Sequence, residues 1–306
     1  MKKGITYTVT GEQSRSRMNS YHGKPSVLDH SYGATEIDVK NIKSKVLDQS
    51  GISVVLGRRT RIANYRSKYT IGFEIEKSTF GRGQRKEYAL IQGYERDGSC
   101  GVEAVTNILP LLPPSQWRNK IFDMIFKAKG IMDDDKSPST MRCGGHITIG
   151  VNGLCGQELN EKVRLNASIL LALFRKRLKN GYVRNNLRMQ PYADNNGERL
   201  SHFNGWDRKY QIALAKNNCL EFRVPNRITS YKQMFRRYEL MYQIVDFSIT
   251  KPNGRFSTLL NKVKPTILSM YEGDTTKTDM ILSLAKDFYK FVKDGTISNS
   301  IEEFIR

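Results

Sequence analysis

Tyr69-Thr70-Ile71-Gly72-Phe73-Glu74-Ile75-Glu76 is the stretch whose reading decides the fold. Its apolar and polar residues alternate, which is the period of a β-strand. Phe73 and Ile75 then share one face, and Glu74 and Glu76 share the other. A polar face on an antiparallel strand is often just the solvated one. Two carboxylates at i and i+2 can also hold one divalent cation or bridge two.

Three more segments repeat the arrangement. They are Gly101-Val102-Glu103-Ala104-Val105, Cys143-Gly144-Gly145-His146-Ile147-Thr148-Ile149 and Leu220-Glu221-Phe222-Arg223-Val224. His146 and Thr148 oppose Ile147 and Ile149, and Glu221 and Arg223 oppose Phe222 and Val224. If the four strands share a sheet, four carboxylates, one imidazole and one guanidinium converge on one face. Each segment has a plain structural reading as well. An exposed ion pair explains Glu221-x-Arg223, and a structural histidine explains His146. The glycines before His146 favour a site, because they let something approach the backbone closely.

The rest of the chain sets the frame. It has 306 residues, 39% of them hydrophobic, enough for one large domain or two small ones with a sizeable core. No window approaches a membrane span, and Met1 to Tyr7 lack the apolar core of a signal peptide. Cys100, Cys143, Cys155 and Cys219 form no C-x-x-C pair, so the expectation is reduced thiols in the cytoplasm. Cys143 and His146 make half of a zinc motif whose other half is missing. The formal charge of +20 favours polyanionic partners such as nucleic acid, nucleotides or an acidic polymer.

Residues 1–65 read as a basic N-terminal arm or small subdomain, with clusters at Ser14-Arg15-Ser16-Arg17 and Arg58-Arg59-Thr60-Arg61 and a short element between Val46 and Leu56. Residues 66–250, which hold all four segments, read as the main domain, and 251–306 as a helical part packed on it. Within them, strands are expected over Tyr69–Glu76, Glu87–Tyr94 and Val102–Val105, and over about 141–151. Helices are expected from Pro113-Pro114-Ser115 to about Lys129, over 157–179 with Asn166 on its apolar face, and over 230–250 and 276–294. Asp133 to Ser139 reads as an acidic loop. Irregular alternation of strands and helices, with no G-x-G-x-x-G after a strand, points to α+β: a mostly antiparallel sheet with helices packed on one side.

The ordered series E-x-E, D-G-S-x-x-x-E (Asp97 to Glu103), G-G-H-I-x-I and E-F-R resembles the amidoligase family, relatives of glutamine synthetase and glutamate–cysteine ligase. The matching residues run from Gly72 to Arg223, about half of the chain. The resemblance implies a curved sheet with the active site on its concave face. It implies an ATP-dependent carboxylate–amine ligase that works through an acyl phosphate with Mg²⁺ or Mn²⁺. It assigns Glu74, Glu76, Glu103 and Glu221 to the metal, His146 to the phosphates and a metal, and Arg223 to the transferred phosphoryl group. The substrates would be a carboxylate and an amine, drawn from amino acids, peptides or proteins.

That chemistry suits these residue types. Divalent ions and a guanidinium stabilise the charge that phosphoryl transfer gathers. The chain has no G-x-x-x-x-G-K-[ST] loop, so phosphate contacts would come from side chains, with Arg223, Arg208 and Lys209 as candidates. Asp97 reads either as a helper to the metal or as part of a turn.

Two other classes fit parts of the same pattern. Clustered strand carboxylates with a basic surface also describe a metal-dependent nuclease. Glu103-Ala104-Val105 lacks the lysine two residues after the acid that many such sites carry, and Asp134-Asp135-Lys136 has that spacing in a loop. A non-catalytic nucleic-acid-binding or assembly protein would use the basic run Phe174-Arg175-Lys176-Arg177-Leu178-Lys179, continued by Arg184 and Arg188. A solvated helix end is the plainer reading of that run. The 15 tyrosines form no base-stacking signature and read as packing.

Overall fold

A computed structural model describes residues 68–77, 88, 90–97, 101–106, 108–132, 143–179, 212–216, 219–296 and 298–305, and four short strands before residue 64. The early strands are β1 (Ile5–Thr8), β2 (Val46–Leu47), β3 (Ser53–Val54) and β4 (Thr60–Ala63). β1 pairs antiparallel with β4, and β2 with β3. The element expected between Val46 and Leu56 is thus the β2–β3 pair. The cluster at residues 14–17, the acidic stretch 133–139, and Arg184, Arg188, Arg208 and Lys209 lie outside the described residues.

The chain divides into two compact units. The first comprises residues 1–155, 217–219 and 227–235. Its frame is β5 (Tyr69–Lys77), the long strand expected from alternation. β5 pairs antiparallel with β7 (Gly101–Thr106), with the two-residue β8 (Leu109–Pro110) and with β9 (Ile147–Val151). β6 (Ile91–Asp97) adds to the far edge of β7. The strand expected at Glu87–Tyr94 therefore lies further along, and Tyr88 instead accepts a turn hydrogen bond from the Ile91 N–H. The strand expected from about 141 begins only at Ile147, although His146 O still accepts from Glu74 N and so continues the β5–β9 ladder.

One face of this sheet is apolar core. Ile71, Phe73 and Ile75 on β5 and Ile147 and Ile149 on β9 are all buried, in registers that pair Ile71 with Ile149 and Phe73 with Ile147. Lys77 ends the same face, fully buried, and its Nζ donates to Met132 O at 3.3 Å. Helix α1 (Gln116–Lys127) starts where the proline pair placed it. Ser115 is its N-cap, with Oγ accepting from the Arg118 N–H at 3.2 Å. Its buried residues are Arg118, Ile121, Met124 and Ile125, and a short α2 (Lys129–Met132) follows.

The second unit comprises residues 156–216, 220–226 and 236–306. The single helix expected over 157–179 is three pieces: α3 (Gly156–Val163), α4 (Ser168–Leu173) and a 3-10 turn at Arg175–Lys179. The break has a local cause. The Ser168 and Leu170 N–H groups donate to Leu165 O and Ala167 O, three residues back instead of four, and Ser168 Oγ also donates to Leu165 O at 2.6 Å. The basic run at 174–179 is not a solvated helix end, because Phe174, Arg177 and Leu178 are buried. Arg237 lies with its guanidinium over the Phe174 ring at 5.0 Å and donates to Asn226 O and Oδ1. Burial, and then the charge of Arg177, lower the Arg237 pKa to about 9.

Strands β10 (Ala213–Lys216) and β11 (Cys219–Phe222) are hydrogen-bonded neighbours. The expected C-terminal helices are α5 (Tyr231–Thr250) and α7 (Thr275–Asp294). Two more were not legible: α6 (Phe256–Met270), which carries Pro265 in its interior, and α8 (Asn299–Ile305). α7 packs on α4 with Thr278, Ile281, Leu282, Ala285 and Phe288 buried, a helical stripe. Gly295 closes α7 in the left-handed conformation at φ 75°. The architecture is α+β with an antiparallel sheet. Among the described residues no helix is long and apolar enough to cross a membrane.

Candidate metal centre

The second face of the first unit's sheet carries the polar residues that the alternation predicted, and it is not a solvated face. Glu76 is 3% exposed, Thr148 2% and His146 7%. Glu74 and Glu76 share the face because they are two residues apart on β5. His146 joins them because its carbonyl takes the ladder position opposite Glu74.

The imidazole sits between the carboxylates. Its Nδ1 lies 2.5 Å from Glu74 Oε2 and its Nε2 lies 3.3 Å from Glu76 Oε1. One ligand atom from each of the three residues lies within 4.8 Å of the others. Glu76 Oε2 also accepts the backbone N–H of Gly144 at 2.5 Å. The group carries two negative charges if the ring is neutral and one if it is protonated. Only one nitrogen of a neutral ring carries a proton. The other would face a carboxylate lone pair to lone pair. A cation among these atoms would remove that conflict and offset the carboxylate repulsion.

Gly144 explains why glycine precedes the histidine. A Cβ built there would lie 2.7 Å from His146 Nε2, 3.0 Å from its Cδ2 and 3.2 Å from Glu76 Oε1. What approaches the backbone is the histidine ring itself, so any side chain at 144 would displace a ligand atom. The glycine thus lets the ring lie between two carboxylates, and the three donor atoms are of types that a divalent ion takes.

Glu103 sits directly opposite Glu76 in the β5–β7 register and is half-buried. Glu95 takes the next position, opposite Glu103. Glu76, Glu103 and Glu95 thus hold facing register positions on three neighbouring strands. Glu95 was not singled out from the sequence, since its alignment appears only once the register is known. Asp97 pairs with Gly101 at the end of the same ladder.

Thr148 extends the face on the other side. It lies opposite Gly72, which has no side chain to meet it, and its Oγ1 is buried without a hydrogen-bond partner. Cys143 is buried and outside the cluster, so the cluster is carboxylate and imidazole without thiolate. Cys143, Cys155 and Cys219 are in no disulfide.

Glu221 and Arg223 belong to the second unit. Glu221 is 1% exposed, not the exposed ion pair that its sequence allowed. Its Oε1 accepts from Arg223 at 2.5 Å, and its Oε2 pairs with Lys216 Nζ. Lys216, from the neighbouring β10, was not foreseen. Set beside known proteins, the chain matches no family model and no curated protein.

Proposed function

We propose that the chain is an ATP-dependent carboxylate–amine ligase with a glutamine synthetase-like sheet. The observation that carries the reading is the Glu74–Glu76–His146 cluster, buried on one face of an antiparallel sheet. The ordered motifs and their strand settings support it. Two carboxylates with one imidazole suit a hard divalent ion such as Mg²⁺, and the nitrogen donor suits Mn²⁺ at least as well. Bound nucleotide and metal would supply an activated phosphoryl group for the acid substrate.

The chain's own residues would do the rest. Glu74 and Glu76 offer oxygen donors held by the strand and by the Gly144 N–H. Burial of Glu76 and His146 keeps water from competing with a ligand and strengthens local electrostatics. Glu103 adds negative charge at the next register position. Arg223, anchored by Glu221, is the guanidinium that the resemblance assigns to the phosphoryl group.

The test is calorimetric binding of a non-hydrolysable ATP analogue with and without Mn²⁺ or Mg²⁺. Metal-dependent binding that disappears in Glu74→Ala is the expected result. An absence of nucleotide binding, or metal-dependent cleavage of plasmid DNA lost in Glu103→Ala, would replace the ligase with the nuclease reading or remove both.

A further inference from the structure

The described residues carry a second chemical feature that the metal centre does not use, on the outer side of α1. Phe126 is 43% exposed, one of two large apolar side chains so exposed among the described residues. It is not a loose ring. Tyr231 packs against it edge-on at 5.1 Å, Tyr231 contacts Phe235 at 5.4 Å, and Phe235 stacks on Phe122 at 4.4 Å with the planes 11° apart. The four rings form a wall that fixes the Phe126 orientation.

Cations cap that wall. Lys129 Nζ lies 4.7 Å from the Phe126 ring centre, and the Arg118 guanidinium lies 5.1 Å from that of Phe122. Lys127, Lys129 and Lys232 are exposed. The one acid of α1, Asp123, is paired with Lys127 at 2.6 Å. No acid occupies the first turn of α1, where the helix dipole would favour one.

We infer that this face docks single-stranded nucleic acid, with a base stacking on the exposed Phe126 ring and phosphates meeting the lysines. Rings interleaved with cations are what a flexible polyanion with exposed bases requires. The charge of +20 supplies the long-range attraction. A duplex hides its base faces and could use only the lysines. A lipid surface needs more apolar area than one exposed ring provides. The proposal is independent of the ligase reading, since none of these residues belongs to the metal cluster.

The experiment is fluorescence anisotropy of labelled oligo-dT and oligo-U with the full chain, competed by a duplex of equal length and by anionic vesicles. Expected are preference for the single strand and a loss of about 5–100-fold in Phe126→Ala. Phe126→Leu, which keeps apolar bulk but no π-face, should fall close to the alanine variant. Lys129→Gln should weaken binding and lower the salt dependence by about one phosphate contact. Far-ultraviolet circular dichroism and the thermal midpoint, unchanged in all three, report that they fold. Equal competition by duplex, displacement by vesicles, wild-type affinity in Phe126→Ala, or no oligonucleotide binding at all would overturn the inference.

Discussion

Glu76 and Glu221 are both strand carboxylates with almost no exposure, 3% and 1% respectively. Around Glu221 the chain has placed two cations, Lys216 and Arg223. Around Glu76 it has placed a second carboxylate, an imidazole and, across the strand pair, Glu103. The Glu221 group with its two partners sums to one positive charge. The Glu74–Glu76–His146 group stays negative in either state of the ring. Burying uncompensated charge is costly. On the proposed reading a divalent ion would offset the acids around Glu76, whereas Lys216 and Arg223 already pair with Glu221. The comparison also shows that a buried acid on a strand is not itself evidence for a metal. The sign of its neighbours decides.

The sharpest way to break the comparison is to remove the same charge from both places. Glu221→Gln leaves Lys216 and Arg223 without their shared anion. It should cost about 3 kcal/mol of unfolding free energy, the low end for a broken buried pair, because both cations are partly exposed. Chemical denaturation measures this. Glu76→Gln should barely change metal-free stability. Its Mn²⁺ affinity, read by calorimetry, should fall by more than the roughly 10–100-fold that loss of a supporting residue costs. If Glu221→Gln lowers Mn²⁺ affinity as far as Glu76→Gln does, the two settings are one site and the contrast fails.

Gly144→Ala probes the same centre without touching a ligand. Its Cβ would meet His146 Nε2 at 2.7 Å, so the ring must move. A loss of Mn²⁺ affinity of roughly 10-fold is expected, with a smaller change in stability. Unchanged affinity would mean that His146 is not a ligand.

Thr148→Val is expected to act in the opposite direction on stability. The Oγ1 hydroxyl is buried with no partner, and valine has nearly the same shape. Metal-free protein should gain about 1 kcal/mol. A loss instead would show that the hydroxyl is satisfied in the folded chain, by water, and that the second face is less dry than the cluster reading requires.

How much of this was readable beforehand follows from the distance over which each feature is set. The Glu74/Glu76 pair and its face were legible because strand alternation acts within two residues. His146 was legible as a motif, but its seat opposite Glu74 depends on the β5–β9 register. Glu95 and Lys216 were missed because each is brought into place by a neighbouring strand. In the helices, local signals misled in two ways. Pro265 masked α6, since a proline lacks the N–H an interior position donates. The apolar spacing of 157–179 hid a break at 164–167, where the backbone bonding shortens to three residues. The basic run beyond it read as surface, yet Arg177 and Leu178 are interior.

Asp274 provides the reference for both regions, because it is an exposed acid whose partners are a backbone N–H and one lysine. As N-cap of α7 it accepts from the Lys277 N–H at 2.9 Å, and its other oxygen meets Lys277 Nζ at 2.9 Å. The backbone hydrogen bond from Lys277, then the side-chain bond, hold its pKa below the ordinary 3.8. A folded-state pKa below the unfolded one means that the carboxylate stabilises the fold above the unfolded value. That contribution disappears as pH falls through the folded value. Asp274→Ala should therefore lower Tm slightly at neutral pH, the smallest effect of the series. The gap from wild type should stay constant down to about pH 5 and close in more acidic solution. Thermal melts between neutral and strongly acid pH measure it. Added Mn²⁺ should leave the gap untouched, whereas it should raise the Tm of any protein with an intact Glu74–Glu76–His146 centre. A gap that widens on acidification would mean that the folded-state pKa lies above the unfolded one, so that the fold favours the protonated acid. The contrast between acids that recruit ions and acids that are already satisfied would then need redrawing.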